Sequence, residues 1–248
     1  MSNTAMSDAV KELNSIIQKY DNIVFFGGAG VSTESGIPDF RSVDGLYHQQ
    51  YDYPPETILS HSFYRAKPQE FYRFYRNKMI FTDAKPNAAH LKLAELEACG
   101  KVRAVITQNI DGLQQAAGSK VVLELHGSVL RNYCERCHAF HDLDYIKNST
   151  DVPVCKECGG PVKPDVVLYE EGLDDKTIQS SVRYISEAEV LIIGGTSLAV
   201  YPAAGLIDYF KGDKLVVINK APTPRDKFAD LLIQEPIGEV MGQIEVKE

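Results

Sequence analysis

Apolar residues recur along the chain in short runs, separated by stretches with helical spacing. The runs fall at Ile23-Val24-Phe25-Phe26 and at residues 102–106, 121–125, 165–169, 190–193 and 215–218. Each is short, largely apolar and β-branched, with Arg103, Glu124 and Asp165 the charged exceptions, which is the pattern of a strand buried from two sides. Between them, Val10, Leu13, Ile16, Ile17 and Tyr20 follow the helical period behind a capping Ser7. Pro86 opens a second helix through Leu91, Ala94 and Leu96, and Gly100 supplies its stop. Residues 177–186 and 203–210 read as further helices. Strands alternating with helices predict an α/β fold built on a parallel sheet with both faces covered.

Two stretches break this rhythm. Residues 43–81 are rich in Tyr and Phe, carry Pro54-Pro55 and hold a helix that starts at Pro68. Residues 130–163 hold four cysteines and no long periodic pattern. Both read as insertions, leaving residues 1–42, 82–129 and 164–248 as one discontinuous domain. No internal repeat interrupts this reading.

Composition narrows the class. The 248 residues are 44% hydrophobic and 24% charged, with a formal net charge of −8. That much apolar surface builds a core and excludes a disordered chain. An acidic balance argues against a nucleic-acid surface, which needs clustered Lys and Arg. Arg131, Arg136, Lys147, Lys156 and Lys163 lie among acids and form no basic stripe. No run approaches the ~18 consecutive apolar residues of a spanning helix. The N-terminus, MSNTAMSDAVKEL, has no apolar signal region, so a cytoplasmic protein without membrane contact is expected.

In that compartment paired cysteines bind metal more often than they form disulfides. Cys134-Glu-Arg-Cys137, then 17 residues, then Cys155-Lys-Glu-Cys158 is the spacing of a four-thiolate zinc ribbon. Iron–sulfur ligation and a pair of disulfides are the competing readings. Four thiolates around one ion leave no open position, so the expected zinc is structural. His138 and His141 read as exposed and unneeded as ligands. Cys99 reads as a buried or partly buried thiol with no role.

The strand ends carry the chemistry. Gly28-Ala29-Gly30-Val31-Ser32 follows the first strand and precedes a predicted helix, the layout of a dinucleotide phosphate site. Thr33 occupies the place of the usual third glycine, so a merely structural tight turn competes with that reading. Ser35-Gly36-Ile37-Pro38-Asp39-Phe40-Arg41 is too polar and broken for a core helix. It offers charge, stacking and phosphate contact together. Thr107-Gln108-Asn109-Ile110-Asp111-Gly112 follows the second strand, either as an Asx turn with a cap at Asp111 or as a set of ribose and amide partners. His126-Gly127, Gly194-Gly195-Thr196-Ser197 and Asn219 each follow another strand. Ligands of open α/β sheets bind at such carboxyl ends, and His126 there is a candidate general base.

These residues, in this order, resemble the sirtuins, the NAD-dependent protein lysine deacylases. The likeness continues through both C-x-x-C pairs, Lys163-Pro164-Asp165-Val166-Val167, Gly195-Thr196-Ser197-Leu198 and Ile218-Asn219. It covers nearly the whole chain, without a long terminal extension, as in bacterial and archaeal members. The resemblance implies a Rossmann-like parallel sheet domain and a small second domain made of the zinc ribbon and the helical insertion. NAD, a co-substrate, and an acetyl-lysine protein or peptide would meet in the cleft between them.

The same resemblance implies residue roles. Gly28, Ala29, Gly30, Thr33, Asp39, Phe40 and Arg41 would cover NAD, with Asp39 also reaching the nicotinamide amide. Gln108, Asn109, Ile110 and Asp111 would face the nicotinamide and its ribose. Gly195, Thr196, Ser197 and Asn219 would hold the phosphate and adenosine side, with Ile237 near adenine. His126 and Asn109 would be catalytic, and one structural zinc ion would sit on Cys134, Cys137, Cys155 and Cys158. Substrate would add as a strand between residues 166–169 (Val166, Val167, Leu168, Tyr169) and residues 197–200, which include Leu198. The implied chemistry yields free lysine, nicotinamide and 2′-O-acetyl-ADP-ribose, His126 taking a proton through the ribose hydroxyls.

Three departures from the family pattern stand out. Gly27 replaces a common Thr, and Leu168-Tyr169-Glu170-Glu171 stands where Phe-Phe-Gly-Glu is frequent. Members preferring succinyl or malonyl lysine carry Tyr-x-x-Arg in the helical insertion. The corresponding residues here are Tyr72 and Tyr75, with Arg76 one position on, which favours acetyl-lysine. Mono-ADP-ribosyl transfer and deacylation of longer chains would use the same NAD site. An NAD(P) oxidoreductase fits less well without the third glycine, and a non-catalytic sensor fits poorly with both His126 and Asn109 present. The net negative charge would favour acyl-lysines flanked by basic residues.

Overall fold

The computed structural model describes residues 6–40, 45 and 53–246. Its strands are β1 (Ile23–Gly27), β2 (Val102–Thr107), β3 (Val122–Glu124), β4 (Gly127–Cys134), β5 (Phe140–Asp142), β6 (Val162–Val166), β7 (Val190–Gly194), β8 (Lys214–Ile218) and β9 (Leu231–Ile233). The helices are α1 (Asp8–Lys19), α2 (Pro55–Ile58), α3 (His61–Ala66), α4 (Pro68–Lys78), α5 (Ala88–Ala98), α6 (Leu113–Ala116), α7 (Leu143–Asn148), α8 (Asp175–Glu187) and α9 (Ile237–Met241).

Six strands form a parallel sheet in the order β3-β2-β1-β7-β8-β9. The apolar runs are explained by the covers on both faces. Phe25 of β1 and Val190 and Ile192 of β7 pack into one core with α1, α5 and α9. The alternate residues Val24, Phe26, Leu191 and Ile193 pack into the opposite core with α8 and the 3-10 turn Ala203–Tyr209. Phe25 and Phe26 are fully buried, each burial contributing about 1.5–3 kcal/mol. Strand order reverses between β1 and β7, which opens a crevice at the carboxyl ends of those two strands.

The remaining strands form a second, antiparallel sheet, β5-β4-β6. One apolar core joins this sheet to the helical insertion. Phe63, Tyr64, Phe71, Tyr72 and Tyr75 pack with Val129, Ile146, Val162, Val166 and Leu168. Edge-to-face ring contacts at 5.1 Å (Tyr64–Phe71) and 6.2 Å (Tyr64–Tyr72) tie α3 to α4 inside it.

Local signals set most boundaries. The Ser7 hydroxyl accepts the Val10 N–H at the start of α1, and Gly100 at φ +76° follows α5. Pro86, however, does not begin α5. Asn87 caps it through the Ala89 N–H, while its own N–H donates to His90 Nδ1. No α-helix follows the first glycine turn, where the chain makes two 3-10 turns, Ala29–Val31 and Thr33–Ser35. Residues 165–169 do not join the parallel sheet. Strand β6 ends at Val166 and belongs to the zinc-ribbon sheet, because it pairs with β4. Strand β9 closes the far edge of the parallel sheet, helix α9 packs on α5 and the first glycine turn, and their short segments gave no clear periodic signal.

Candidate active site

The reversal point is built by glycines in backbone contact. Gly28 N–H donates to Gly194 O at 3.2 Å, and Gly30 N–H donates to Gly195 O at 2.7 Å. A Cβ on Gly30 would lie 2.8 Å from that oxygen, and one on Gly28 would lie 2.8 Å from Thr196 Cβ. Gly195 is left-handed at φ +57°, with Val31 N 2.4 Å from where its Cβ would stand. The turns after β1 and β7 therefore interlock, leaving their backbones bare at the crevice. Ala29 and Thr33 lie on this rim, the Thr33 hydroxyl donating to Gly30 O at 3.0 Å. Gln108 Nε2 reaches across to Thr196 Oγ1 at 3.0 Å.

Behind the rim lies a buried polar relay. Ser32 Oγ, in a residue 1% exposed, donates to Asp111 Oδ2 at 2.7 Å and accepts from Asn109 Nδ2 at 3.0 Å. His90, also 1% exposed, accepts the Asn87 N–H at Nδ1, so Nε2 carries its proton and faces Ser32 Oγ at 3.5 Å. Burial pushes the His90 pKa below the ordinary imidazole value, against the pull of the Asp111 charge. The other Asp111 oxygen, Oδ1, accepts from Leu113 N–H at 2.9 Å, so one carboxylate both caps α6 and anchors the relay. Ser32 and His90 carried no role in the sequence reading. His90 sits in the first turn of α5, far in the chain from the quoted motifs, and only the fold brings it to Ser32.

His126 lies between the two sheets. Its Nδ1 is 2.9 Å from Gln108 O, and a carbonyl only accepts, so Nδ1 carries the proton and Nε2 is left as the base. Burial lowers its pKa from the imidazole value, with the Gln108 bond opposing. Its backbone carbonyl accepts the Val167 N–H at 3.0 Å. Gly127, at φ +76°, has no room for a side chain, since a Cβ would lie 1.9 Å from Asp165 O. Arg131 fixes this junction, donating to Glu124 Oε2 and Asp165 Oδ2, each at 2.7 Å.

The other expected positions fall around this centre. Ile110 and Phe40 are partly buried against the small-domain core, and Asp39 is half-buried near them in the chain. Arg41 lies outside the described residues. Ser197 is exposed, Leu198 is buried at φ +54°, and Asn219 turns its amide onto Ala221 O at 2.6 Å. Ile237 is 3% exposed and packed on Gly194, beneath the crevice floor. Val166 and Leu168 are buried, whereas Tyr169 is 36% exposed.

The four cysteine sulfurs lie within 4.8 Å of one another, with Cys134–Cys158 at 3.4 Å and Cys137–Cys155 at 3.6 Å. A tetrahedral ion with Zn–S bonds of about 2.3 Å needs sulfurs about 3.8 Å apart, so the donor set fits zinc. Backbone N–H groups of Arg136 and Glu157 point at Cys134 Sγ and Cys155 Sγ, as thiolates require. Two neighbours correct the sequence reading. His141 is buried, stacked on Tyr145 at 4.6 Å, and Cys99 is exposed at the helix end.

A doubly wound sheet with a glycine crevice at its reversal point, a base-bearing histidine beside it and a four-thiolate ribbon define a nucleotide-dependent α/β enzyme with a structural metal. The Sir2 family model matches residues 28–202, and the chain belongs to that family. A relative from Clostridium acetobutylicum, named NAD-dependent protein deacetylase, is 61% identical over 240 residues, 96% of this chain and 98% of its own length. A Sir2 variant solved with a deacetylated p53 peptide and 3′-O-acetyl-ADP-ribose superposes with a TM-score of 0.87 at 40% identity, over 94% of this chain and 95% of that one. A Sir2–p53 peptide–NAD+ complex superposes at 0.83, also 40% identical, over 95% and 96%.

Proposed function

We propose that this chain removes acetyl groups from protein lysines at the expense of NAD, releasing nicotinamide and 2′-O-acetyl-ADP-ribose. One observation carries the reading. His126 keeps Nε2 unprotonated by donating Nδ1–H to Gln108 O, at the end of the strand next to the glycine crevice, while its own carbonyl holds Val167 of the segment that follows β6. The base and the segment after β6, which the family resemblance gives to the peptide, are joined at one residue. The family membership and the deacetylase names of close relatives support the activity.

The residue roles rest on the family membership, with the geometry of the described residues in support. Gly28, Gly30, Gly195, Thr196 and Ser197 offer bare backbone and hydroxyls to the NAD phosphates, with Asn219 on the adenosine side and Ile237 beneath it. Ala29, Thr33, Asp39, Phe40 and Arg41 cover the nicotinamide ribose. Gln108, Asn109, Ile110 and Asp111 face the nicotinamide, Asn109 and Asp111 being held by Ser32. When the glycosidic bond breaks, the acetyl oxygen takes C1′. His126 Nε2 then removes a ribose hydroxyl proton so that the 2′-oxygen bonds to the acyl carbon. The protonated lysine amine leaves that carbon and a water oxygen adds to it, so that the 2′-acetate forms and C1′ keeps the former acetyl oxygen as its hydroxyl. Cys134, Cys137, Cys155 and Cys158 hold a zinc ion that stabilises the ribbon and stands outside the chemistry. Residues 1–42, 82–129 and 164–248 form the NAD domain, and residues 43–81 and 130–163 the small domain. The need for four reduced thiolates favours a cytoplasmic setting.

Acetyl-lysine is the favoured substrate over acidic acyl chains. Arg76 donates to Ile146 O at 3.0 Å and Ser149 Oγ at 2.6 Å, so its guanidinium is committed to the zinc module. Incubating the protein with carbonyl-labelled acetyl-lysine peptide and NAD tests the function. Label in acetyl-ADP-ribose, one per nicotinamide released, is expected. ADP-ribose on protein, with the acetyl group left on the peptide, would replace the reading with mono-ADP-ribosyl transfer.

A further inference from the structure

Strand β6 is an edge strand of its sheet, and the extended segment that continues it has backbone groups pointing both ways. Val167 N–H points inward to His126 O. Val166 O and Leu168 N–H point outward, and among the described residues no strand pairs with them. Two side chains supply that missing neighbour. Lys163 Nζ donates to Val166 O at 3.0 Å, and Glu171 Oε2 accepts the Leu168 N–H at 2.9 Å. The two side chains also pair with each other at 3.1 Å, each 20% exposed.

The same carboxylate reaches the helical insertion. Glu171 Oε1 lies 2.8 Å from His61 Nδ1 at the start of α3. Beside it, Tyr169 N–H donates to Leu59 O at 3.0 Å, and His61 N–H donates to Tyr169 O at 2.9 Å. Glu170 takes the left-handed conformation, φ +77°, that turns the chain back to Glu171. Its carboxylate accepts from the Ser62 N–H and Ser62 Oγ, both at 2.9 Å. Burial raises the Glu171 pKa, but the bonds from His61 and Leu168 and the Lys163 charge together hold it below the usual carboxylate value.

We infer that Glu171, paired with Lys163, is a positioning residue for the acyl-lysine peptide, an ion pair acting as a surrogate strand that holds residues 166–168 in register with His126. The inference rests on the deacetylase reading for what the segment binds. The pair lies on the side of the segment away from His126 and makes no contact with the glycine crevice. Losing it therefore weakens peptide binding while leaving the NAD site as it was.

The test uses the full zinc-loaded chain. Binding of a fluorescein-labelled acetyl-lysine peptide is followed by anisotropy, with peptide KM, NAD KM and kcat measured in parallel. Glu171→Ala should weaken peptide binding roughly tenfold, the equivalent of one lost charge-assisted hydrogen bond. NAD KM and kcat at saturating peptide should change less than about twofold, a small free-energy difference. Glu171→Gln, which keeps an acceptor for Leu168, should fall between, and Lys163→Met should behave like Glu171→Ala. Zinc content and melting curves report whether each variant folds; if Glu171→Ala does not, the other two decide. Peptide affinity unchanged in the folded variants overturns the inference, as does an equal loss in kcat and both KM values. Peptide bound by the wild type without turnover would instead overturn the deacetylase reading alone.

Discussion

The imidazole Nδ1–H of His126 donates to the backbone carbonyl of Gln108 at 2.9 Å. This bond joins the ends of two adjacent segments, the turn after β2 and the turn after β3. It selects the tautomer whose Nε2 is free, so the orientation and the protonation of the base have the same origin. His126→Ala should lower the rate of acyl transfer by 10²–10⁴-fold, the usual contribution of a positioned general base. The variant should stay folded, its melting curve showing no more than the loss of one hydrogen bond, about 0.5–1.5 kcal/mol.

The pH dependence has a definite sign. Burial disfavours the imidazolium, and the Gln108 bond only partly offsets it, so the pKa lies below 6.5. The base is the deprotonated form, available above that pKa. The acid limb of kcat/KM, which reports the free enzyme, should therefore have its midpoint below 6.5. A midpoint above that value would contradict the burial argument.

Ser32 is the hub of the polar relay. Ser32→Ala leaves Asp111 Oδ2 and Asn109 Nδ2 without their shared partner, at a cost of about 1–3 kcal/mol for buried polar groups left unpaired. The expected result is a lower melting temperature together with a raised NAD KM. A variant with wild-type values for both would remove Ser32 from the site.

The glycine crevice can be tested by a single methyl. Gly30→Ala places Cβ 2.8 Å from Gly195 O, so the turns after β1 and β7 must part. Overpacking of this kind costs about 1–3 kcal/mol, and NAD KM should rise roughly tenfold or more. Peptide affinity, measured by anisotropy, should change little.

One zinc per chain is expected by elemental analysis, and Cys155→Ser should lose it. Chelation should unfold the ribbon and reduce peptide binding, because β4 and β6 lead from the ion to His126 and Val167. Full activity in metal-free protein would contradict the structural role.

Much of this arrangement was legible in the residues. Short apolar runs identified β1, β2, β7 and β8, since a strand covered on both faces has no polar alternation. Residues 165–169 carried the same pattern for another reason. Val166 and Leu168 are buried by the small-domain aromatics, not by the parallel sheet. Spacing identified the cysteine cluster because both C-x-x-C knuckles are local. Nothing local marked Ser32–His90, 58 residues apart, or Lys163–Glu171, where the decisive bonds run to backbone groups. His141 was misread for the same reason, its burial coming from Tyr145 and the ribbon sheet.

The central claim is that His126 couples nicotinamide release to acyl transfer. The direct measurement is the ratio of acetyl-ADP-ribose formed to nicotinamide released, for wild type and His126→Ala, from one acetyl-lysine peptide. The account predicts a ratio near one for the wild type and loss of acetyl-ADP-ribose in the folded variant. Acetyl-ADP-ribose formed by His126→Ala at the wild-type rate would contradict it.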